Sequence, residues 1–378
     1  MTFEVKPYPE FAWSMSRQRK LGQCPRAYFY SYYLSWNGWL DDAPPESRRA
    51  YRLNKLTSLD ALFGQQVDER ARELEAAARG RKPLPPADVL EERTRKSLRR
   101  TWKESQTRHA AFDDRPNTVV MLRSLYLDQD TQPETDRLNQ KAGPSMAGLL
   151  AVSHWKRLRD CGGDGRIEIP AFASFQHDGL KVFAAPDLTY VHEGTLHVID
   201  WKSGRQDDTN PMQVLLQMWW ALATYPELEG LAVRGHLEYV TAGRTQAVEA
   251  DQDFREQAAG TVREGVARMR ALLSDPERNI PLPMDAFERR ESGLCRTCNF
   301  FPICEQNGSL CAALVSSSSS RGGRSGSWAS SRPRSRWNRR PPSRDRARRR
   351  RFLPSRASRG SCPTCCPTTT RTSPRCFA

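Results

Sequence analysis

The sequence predicts an α/β fold, with α+β as the neighbouring alternative: a central mixed β-sheet, a β-meander carrying the chemistry, and flanking helices. Three observations lead there. Apolar residues recur at helical spacing through most of the first 155 positions, and the period changes to that of strands at Ile167. After two tight turns the chain returns to a helix, one more strand and a long final helix. The 378 residues show no internal repeat and are enough to bury a substantial core.

Taken in order, Ser14 to Leu34 reads as a helix with Ser14 and Ser16 as cap candidates and an aromatic stripe at Phe29, Tyr30, Tyr32 and Tyr33. Trp36 to Pro45 is a turn-rich loop. A second helix, from about Leu56 to Arg79, keeps Leu59, Leu62, Phe63 and Val67 on one face. Gly64 inside it costs about 1 kcal/mol against Ala unless close backbone packing offsets the loss. Pro83 to Pro86 breaks the chain, and Asp88 to Phe112 resumes as a charged helix of the outer layer. Thr135 to Trp155 is a further helix, after a loop holding Asp128, Asp130 and Pro133.

Cys161 to Gly165 reads as a loop into the first strand. Strands are expected at Ile167 to Phe175, Lys181 to Tyr190 and Thr195 to Lys202, with turns at His177 to Gly179 and at Glu193 and Gly194. Thr209, Asn210 and Pro211 cap a helix running to about Thr224. Ala232 to Val240 is another strand, and Gln252 to Leu273 a long polar helix.

The formal net charge of +15 resembles that of a nucleic-acid binder, but its distribution matters more than its sum. Residues 312 to 378 hold 17 Arg, no Lys and one acid, Asp345, so the first 311 residues are close to neutral. We therefore expect a folded domain over 1–311. Beyond it, 312–378 is an Arg/Ser/Pro-rich tail too poor in apolar residues to fold. Arg without Lys, and the abrupt change after Cys311, fit out-of-frame translation of a GC-rich gene or a genuine arm that grips phosphates. No stretch offers 18 apolar residues, and Met1 to Glu10 lacks the pattern of a secretory signal, so a cytoplasmic protein without a membrane span is expected.

Side chains alternate along a strand, so Asp200 and Lys202 share one face of Thr195–Lys202 while Trp201 and His197 take the other. Asp187, directly after Pro186, lies on the preceding strand, and the Glu193-Gly194 turn brings both Asp residues to one sheet edge. Two carboxylates within about 4 Å repel unless a cation lies between them. Oxygen ligands without nearby His or Cys suit Mg²⁺ or Mn²⁺, and a lysine beside the ion stabilises charge on a phosphate. Glu168 is a further ligand candidate, or a solvated surface acid. Gln213 and Gln217 share a face of the next helix, either turned toward this edge or as surface amides.

Asp-x-Lys alone is common at strand ends. Pro186-Asp187, then Asp200-Trp201-Lys202-Ser203-Gly204, then a Gln-bearing helix resembles the PD-(D/E)XK nuclease superfamily, in particular its RecB-like branch. The resemblance implies a restriction-endonuclease-like core and phosphodiester hydrolysis with Mg²⁺ or Mn²⁺. Asp187, Asp200 and the backbone carbonyl of Trp201 then match metal ligands, Lys202 the catalytic lysine, and Gln213 or Gln217 the glutamine of the following helix. Gln213 is favoured by its distance from Lys202, and Gln217 by the apolar residues after it. One departure stands out. Relatives often carry a metal-binding His four residues after a Gly of the N-terminal helix, where Gly64-Gln65-Gln66-Val67-Asp68 places Asp68, either a ligand or a surface acid.

Cys295, Cys298 and Cys304 form a C-x2-C-x5-C run whose spacing gathers thiolates around one metal or cluster. A fourth ligand is needed. Cys24 is the best candidate, since its helix carries the aromatic stripe, with Cys161 and Cys311 as spares; Cys362, Cys365, Cys366 and Cys376 of the tail receive no role. One upstream Cys with three near the end resembles the iron-sulfur RecB-like nucleases, AddB-type and CRISPR-associated. That implies a [4Fe-4S] cluster clasping the two ends of the domain, with Zn²⁺ as the alternative occupant. Ser16-Arg17 resembles the dipeptide opening this family's first helix, and Arg17 and Arg26 are candidate phosphate contacts.

The six His residues show no ligand spacing, and no phosphate-binding ATPase loop is present. The expected function is a DNA exonuclease acting on single-stranded ends in repair, recombination or mobile-element defence, beside a helicase or another recombination or CRISPR protein. The alternative is a catalytically idle iron-sulfur DNA-binding or scaffolding subunit of a helicase-nuclease complex.

Overall fold

The computed structural model describes residues 5–161 and 165–306. The expected boundary at Cys311, and the Arg-rich tail beyond it, lie outside these residues. The described chain opens on a strand too short to show a period in the sequence, β1 (Ala12–Ser14). Helix α1 (Met15–Gln23) follows, with the Ser14 side chain accepting from the Arg17 N–H as its cap. Ser16 sits inside the first turn, its Oγ 3.0 Å from that of Ser14. The single helix expected to Leu34 breaks at Cys24, which is extended (φ −161°, ψ 108°) because the residue before a proline is disfavoured from helical geometry. Pro25 then starts α2 (Pro25–Phe29), which runs into a π-helical turn at Tyr30–Leu34.

The loop after Trp36 ends at Pro45 as expected, but there α3 (Pro45–Lys55) begins, an unexpected helix with a proline in its first turn. Helix α4 (Leu59–Arg79) is capped by Ser58 and buries Leu59, Leu62, Phe63, Val67 and Leu74, the face its spacing predicts. The charged outer layer is two helices, α5 (Ala87–Thr107) and α6 (His109–Asp114), followed by the short α7 (Arg123–Tyr126). Another expected helix is likewise two, α8 (Gln132–Ala151) and α9 (His154–Cys161). In α8 a Cβ on Gly148 would stand 2.0 Å from the Val240 carbonyl oxygen, so helix and sheet approach there as only glycine allows.

The strand region corrects the expected meander. Ile167 to Ala173 is not a strand, apart from isolated pairing of Arg166 and Ile167 with the next sheet. Hairpin β2 (Ser174–His177) and β3 (Leu180–Phe183) turns at Asp178 and Gly179, both at positive φ, and joins β1 in the order β1-β3-β2. The expected strand Lys181–Tyr190 is broken at Ala184–Asp187, where Pro186 has no N–H to give a ladder. Beyond this break the chain enters a second sheet. There β4 (Leu188–His192) and β5 (Thr195–Lys202) are antiparallel through Glu193 and Gly194, at φ 49° and 70°.

Helix α10 (Asn210–Thr224) then crosses to β6 (Ala232–Tyr239), parallel to β5, and β7 (Arg244–Glu249) completes the order β4-β5-β6-β7. The fold is thus α/β, with mixed sheets flanked by helices. The chain continues through α11 (Phe254–Arg270), the small pair β8 (Leu273–Asp275) and β9 (Ile280–Pro281), and α12 (Phe301–Gln306).

The main core packs Leu196 and Val198 of β5 and Leu237 of β6 against Val214, Met218 and Trp220 of α10. A second core sets Tyr30, Phe112 and Met121 against Phe300 and Ile303, joining the first helices to the last. No helix among the described residues is long and apolar enough to cross a membrane.

Candidate active site

Strand alternation sets the site. Asp200 and Lys202 follow Leu196 and Val198 on the face covered by α10, while His197, Ile199 and Trp201 point to the opposite face. Because Leu188 pairs with Ile199, the residue before it, Asp187, stands beside Asp200. Its N–H donates to the Ile199 carbonyl at 3.1 Å, and its Oδ2 accepts from the Trp201 N–H at 2.7 Å.

Asp200 is 3% exposed. Its Oδ1 accepts from Gln213 Nε2 at 3.0 Å and from Gln217 Nε2 at 2.9 Å. Its Oδ2 lies 2.6 Å from Lys202 Nζ, an ion pair by distance whose angles do not make a hydrogen bond, so this buried oxygen keeps an unused lone pair. Lys202 Nζ donates to Gln213 Oε1 at 3.2 Å, and Gln217 also donates to the Ala185 carbonyl at 2.9 Å. Both glutamines therefore reach Asp200, and Gln213 alone of the two also holds Lys202.

Asp187 and Asp68 line one open cavity of about 330 Å³ with Arg72, Glu75, Arg166 and Trp201. Solvent reaches Asp187 from the cavity, but protein surrounds it otherwise. Desolvation, then Asp200 and Asp68, push its carboxyl well above the usual carboxylate range, against the Trp201 N–H and Lys202. Asp68 is also raised, first by burial, with Arg72 opposing and Asp200 reinforcing. Three carboxylates crowd one place, and the buried Asp200 Oδ2 has no hydrogen bond. This all-oxygen donor set fits a hard divalent cation.

The sequence model of the PD-(D/E)XK nuclease superfamily matches residues 12–305. The chain belongs to that superfamily. Its nucleases use divalent metal ions to cleave phosphodiester bonds, and the carboxylate site lies within the matched span. A comparison with curated proteins finds no match.

Other expected residues fall elsewhere. Trp201 gives its N–H to Asp187 and stacks its indole on Trp155 at 5.5 Å, on the sheet's other face. Glu168 is exposed, and its carbonyl accepts from the Tyr225 hydroxyl. Arg17 donates to the Ala12 carbonyl and covers the Tyr32 ring, while Arg26 donates to the Phe287 carbonyl. Both arginines fasten the N-terminal segment rather than reach the carboxylates.

Cys24, Cys295, Cys298 and Cys304 all line one cavity of about 290 Å³. Cys161, on α9, is not among its lining residues. Burial first, then Cys24 and Cys295, raise the Cys298 thiol, and Lys20, whose own ammonium is disfavoured by burial, opposes them. Among the described residues no three of these sulfurs converge within 4.8 Å.

Sequence reasoning missed Arg72 and Glu75, which line the carboxylate cavity from α4. Arg72 is four residues beyond Asp68, so helical spacing from that candidate would have found it.

Proposed function

We propose that the chain is a RecB-like exonuclease that hydrolyses single-stranded DNA from its ends, with Asp187, Asp200 and Lys202 at its centre. The arrangement of Asp200 carries the reading: Gln213 and Gln217 occupy Oδ1 and leave Oδ2 without a hydrogen bond beside the Lys202 ammonium. Asp187, Asp200, Asp68 and the Trp201 carbonyl would hold Mg²⁺ or Mn²⁺. Such an ion, when bound, polarises the scissile phosphate and makes the attacking water more acidic. Lys202 stabilises charge gathering on the phosphate, and Gln213 keeps its ammonium at the site. Arg72, which lines the same cavity, would take a neighbouring phosphate.

A second open cavity, of about 720 Å³, begins at Ser203, directly after Lys202. Arg205 and Arg244 line it with Arg137 and Lys141, which both pair with Asp60, and this basic excess supports a path for a polyanionic strand. The sequence has no ATPase loop, so a helicase partner is the proposed source of separated strands.

Cys24, Cys295, Cys298 and Cys304 are proposed to hold a [4Fe-4S] cluster in a reducing cytoplasm. Four thiols around one cavity fit such a group. Zn²⁺ is the alternative occupant of the same four thiols.

End-labelled linear single-stranded DNA should be degraded in Mg²⁺ or Mn²⁺ and preserved in EDTA, while a closed single-stranded circle should survive. Cutting of the circle would overturn the exonuclease reading, and inertness in both ions would overturn the enzyme reading.

A further inference from the structure

Behind the catalytic strand lies a buried polar cluster with no part in the chemistry above. His154 of α9 and His236 and Glu238 of β6 each offer a ligand atom within 4.8 Å of the others. They are 1%, 6% and 3% exposed. They face away from Asp200, on the side where Trp201 stacks on Trp155, with His154 6.1 Å from the Trp201 ring. We propose that His154, His236 and Glu238 form a second metal site that takes a borderline transition-metal ion, Zn²⁺ by preference.

The chemistry of the donors supports zinc. Two imidazoles and one carboxylate suit a tetrahedral ion with bonds of about 2.0–2.2 Å, whereas Mg²⁺ selects oxygen. The surroundings support a built site. A metal ligand is usually held by a hydrogen bond from its other polar atom, and each of the three has an outside partner of this kind. His154 Nδ1 is 2.7 Å from the Tyr190 hydroxyl, leaving Nε2 toward Glu238 Oε1 at 2.8 Å. Glu238 Oε2 accepts from the Thr245 hydroxyl at 2.7 Å. His236 Nε2 is 3.0 Å from His197 Nδ1.

The charge balance points the same way. Glu238 is a buried carboxylate whose ion-pair partner is an imidazole, His154. A bound cation would balance it more fully. The site would lock α9 to β6 beneath Trp201, the residue whose N–H orients Asp187.

Zinc content of the full chain, purified in excess Mg²⁺ to keep the carboxylate site occupied, tests the proposal together with zinc-edge X-ray absorption. We expect one retained zinc per chain with nitrogen and oxygen neighbours and imidazole scattering. It should persist in Cys295→Ser, and its affinity should fall at least about tenfold in His236→Ala and in Glu238→Gln. Glu238→Gln keeps the size of the side chain and one of its two acceptor oxygens, so it serves if His236→Ala fails to fold. No retained zinc, a sulfur-only shell, or zinc unchanged in a folded Glu238→Gln would overturn it.

Discussion

Gln217 shows how much one side chain carries here. At 1% exposure its amide joins Asp200 of β5 to the Ala185 carbonyl just before Asp187, tying the two halves of the carboxylate pair. Gln217→Ala should cost about 1–3 kcal/mol of stability, because it removes a donor from the buried Asp200 carboxylate. Gln213→Ala should leave stability nearly unchanged and lower kcat, since Gln213 holds Lys202 from a less buried position. Urea melts set beside steady-state cleavage rates would separate the two; equal losses of stability would contradict the division. A pair of glycines gives a second contrast. A Cβ on Gly64 meets only Ser203 Oγ, at 3.8 Å, so Gly64→Ala should stabilise α4 by about 0.5–1 kcal/mol. Gly148→Ala, blocked by the Val240 carbonyl, should cost about 2 kcal/mol or more. Thermal melts of the two variants should shift in opposite directions.

Among the elements, those with a long regular period were legible and the short or interrupted ones were not. Alternation along Thr195–Lys202 places Asp200, Lys202, Trp201 and His197 on the correct faces, because period 2 does not depend on what packs above the strand. Three-residue β1 has no period to read. Helix α3 was hidden because Pro45 serves as its first turn as readily as it ends a loop. Pro186 marks the step from one sheet to the other, a signal that apolar residues on both sides disguise as one strand. The His154, His197 and His236 group was invisible, since its members come from α9, β5 and β6 and show no common spacing.

Across the whole molecule, crowded carboxylates make stability depend on pH and on metal. Asp187 and Asp68 titrate higher in the folded chain than in the unfolded one. Below the unfolded carboxylate range both states hold these protons and there is no penalty. As pH rises from there through the folded values, the unfolded state releases its protons first and the metal-free protein loses stability. A divalent ion should remove that penalty, so Mg²⁺ should raise Tm more at about pH 8 than at about pH 5. A gain independent of pH would argue against carboxylate ligands. At the other end of the molecule, the second core and the Arg26 bond to Phe287 bring the first and last helices together around the four cysteines. Cys24→Ser should therefore lower Tm while leaving the carboxylate geometry intact, with residual cleavage as the check.

The central claim, that Asp187, Asp200 and Lys202 form a metal-dependent nuclease centre, is tested most directly by the rate at which Asp200→Asn degrades end-labelled single-stranded DNA in Mg²⁺. Several kcal/mol of metal-assisted stabilisation, at about 1.4 kcal/mol per tenfold, predict a loss of at least about 100-fold in a protein that still folds. Cleavage at the wild-type rate by a folded Asp200→Asn protein would contradict the claim.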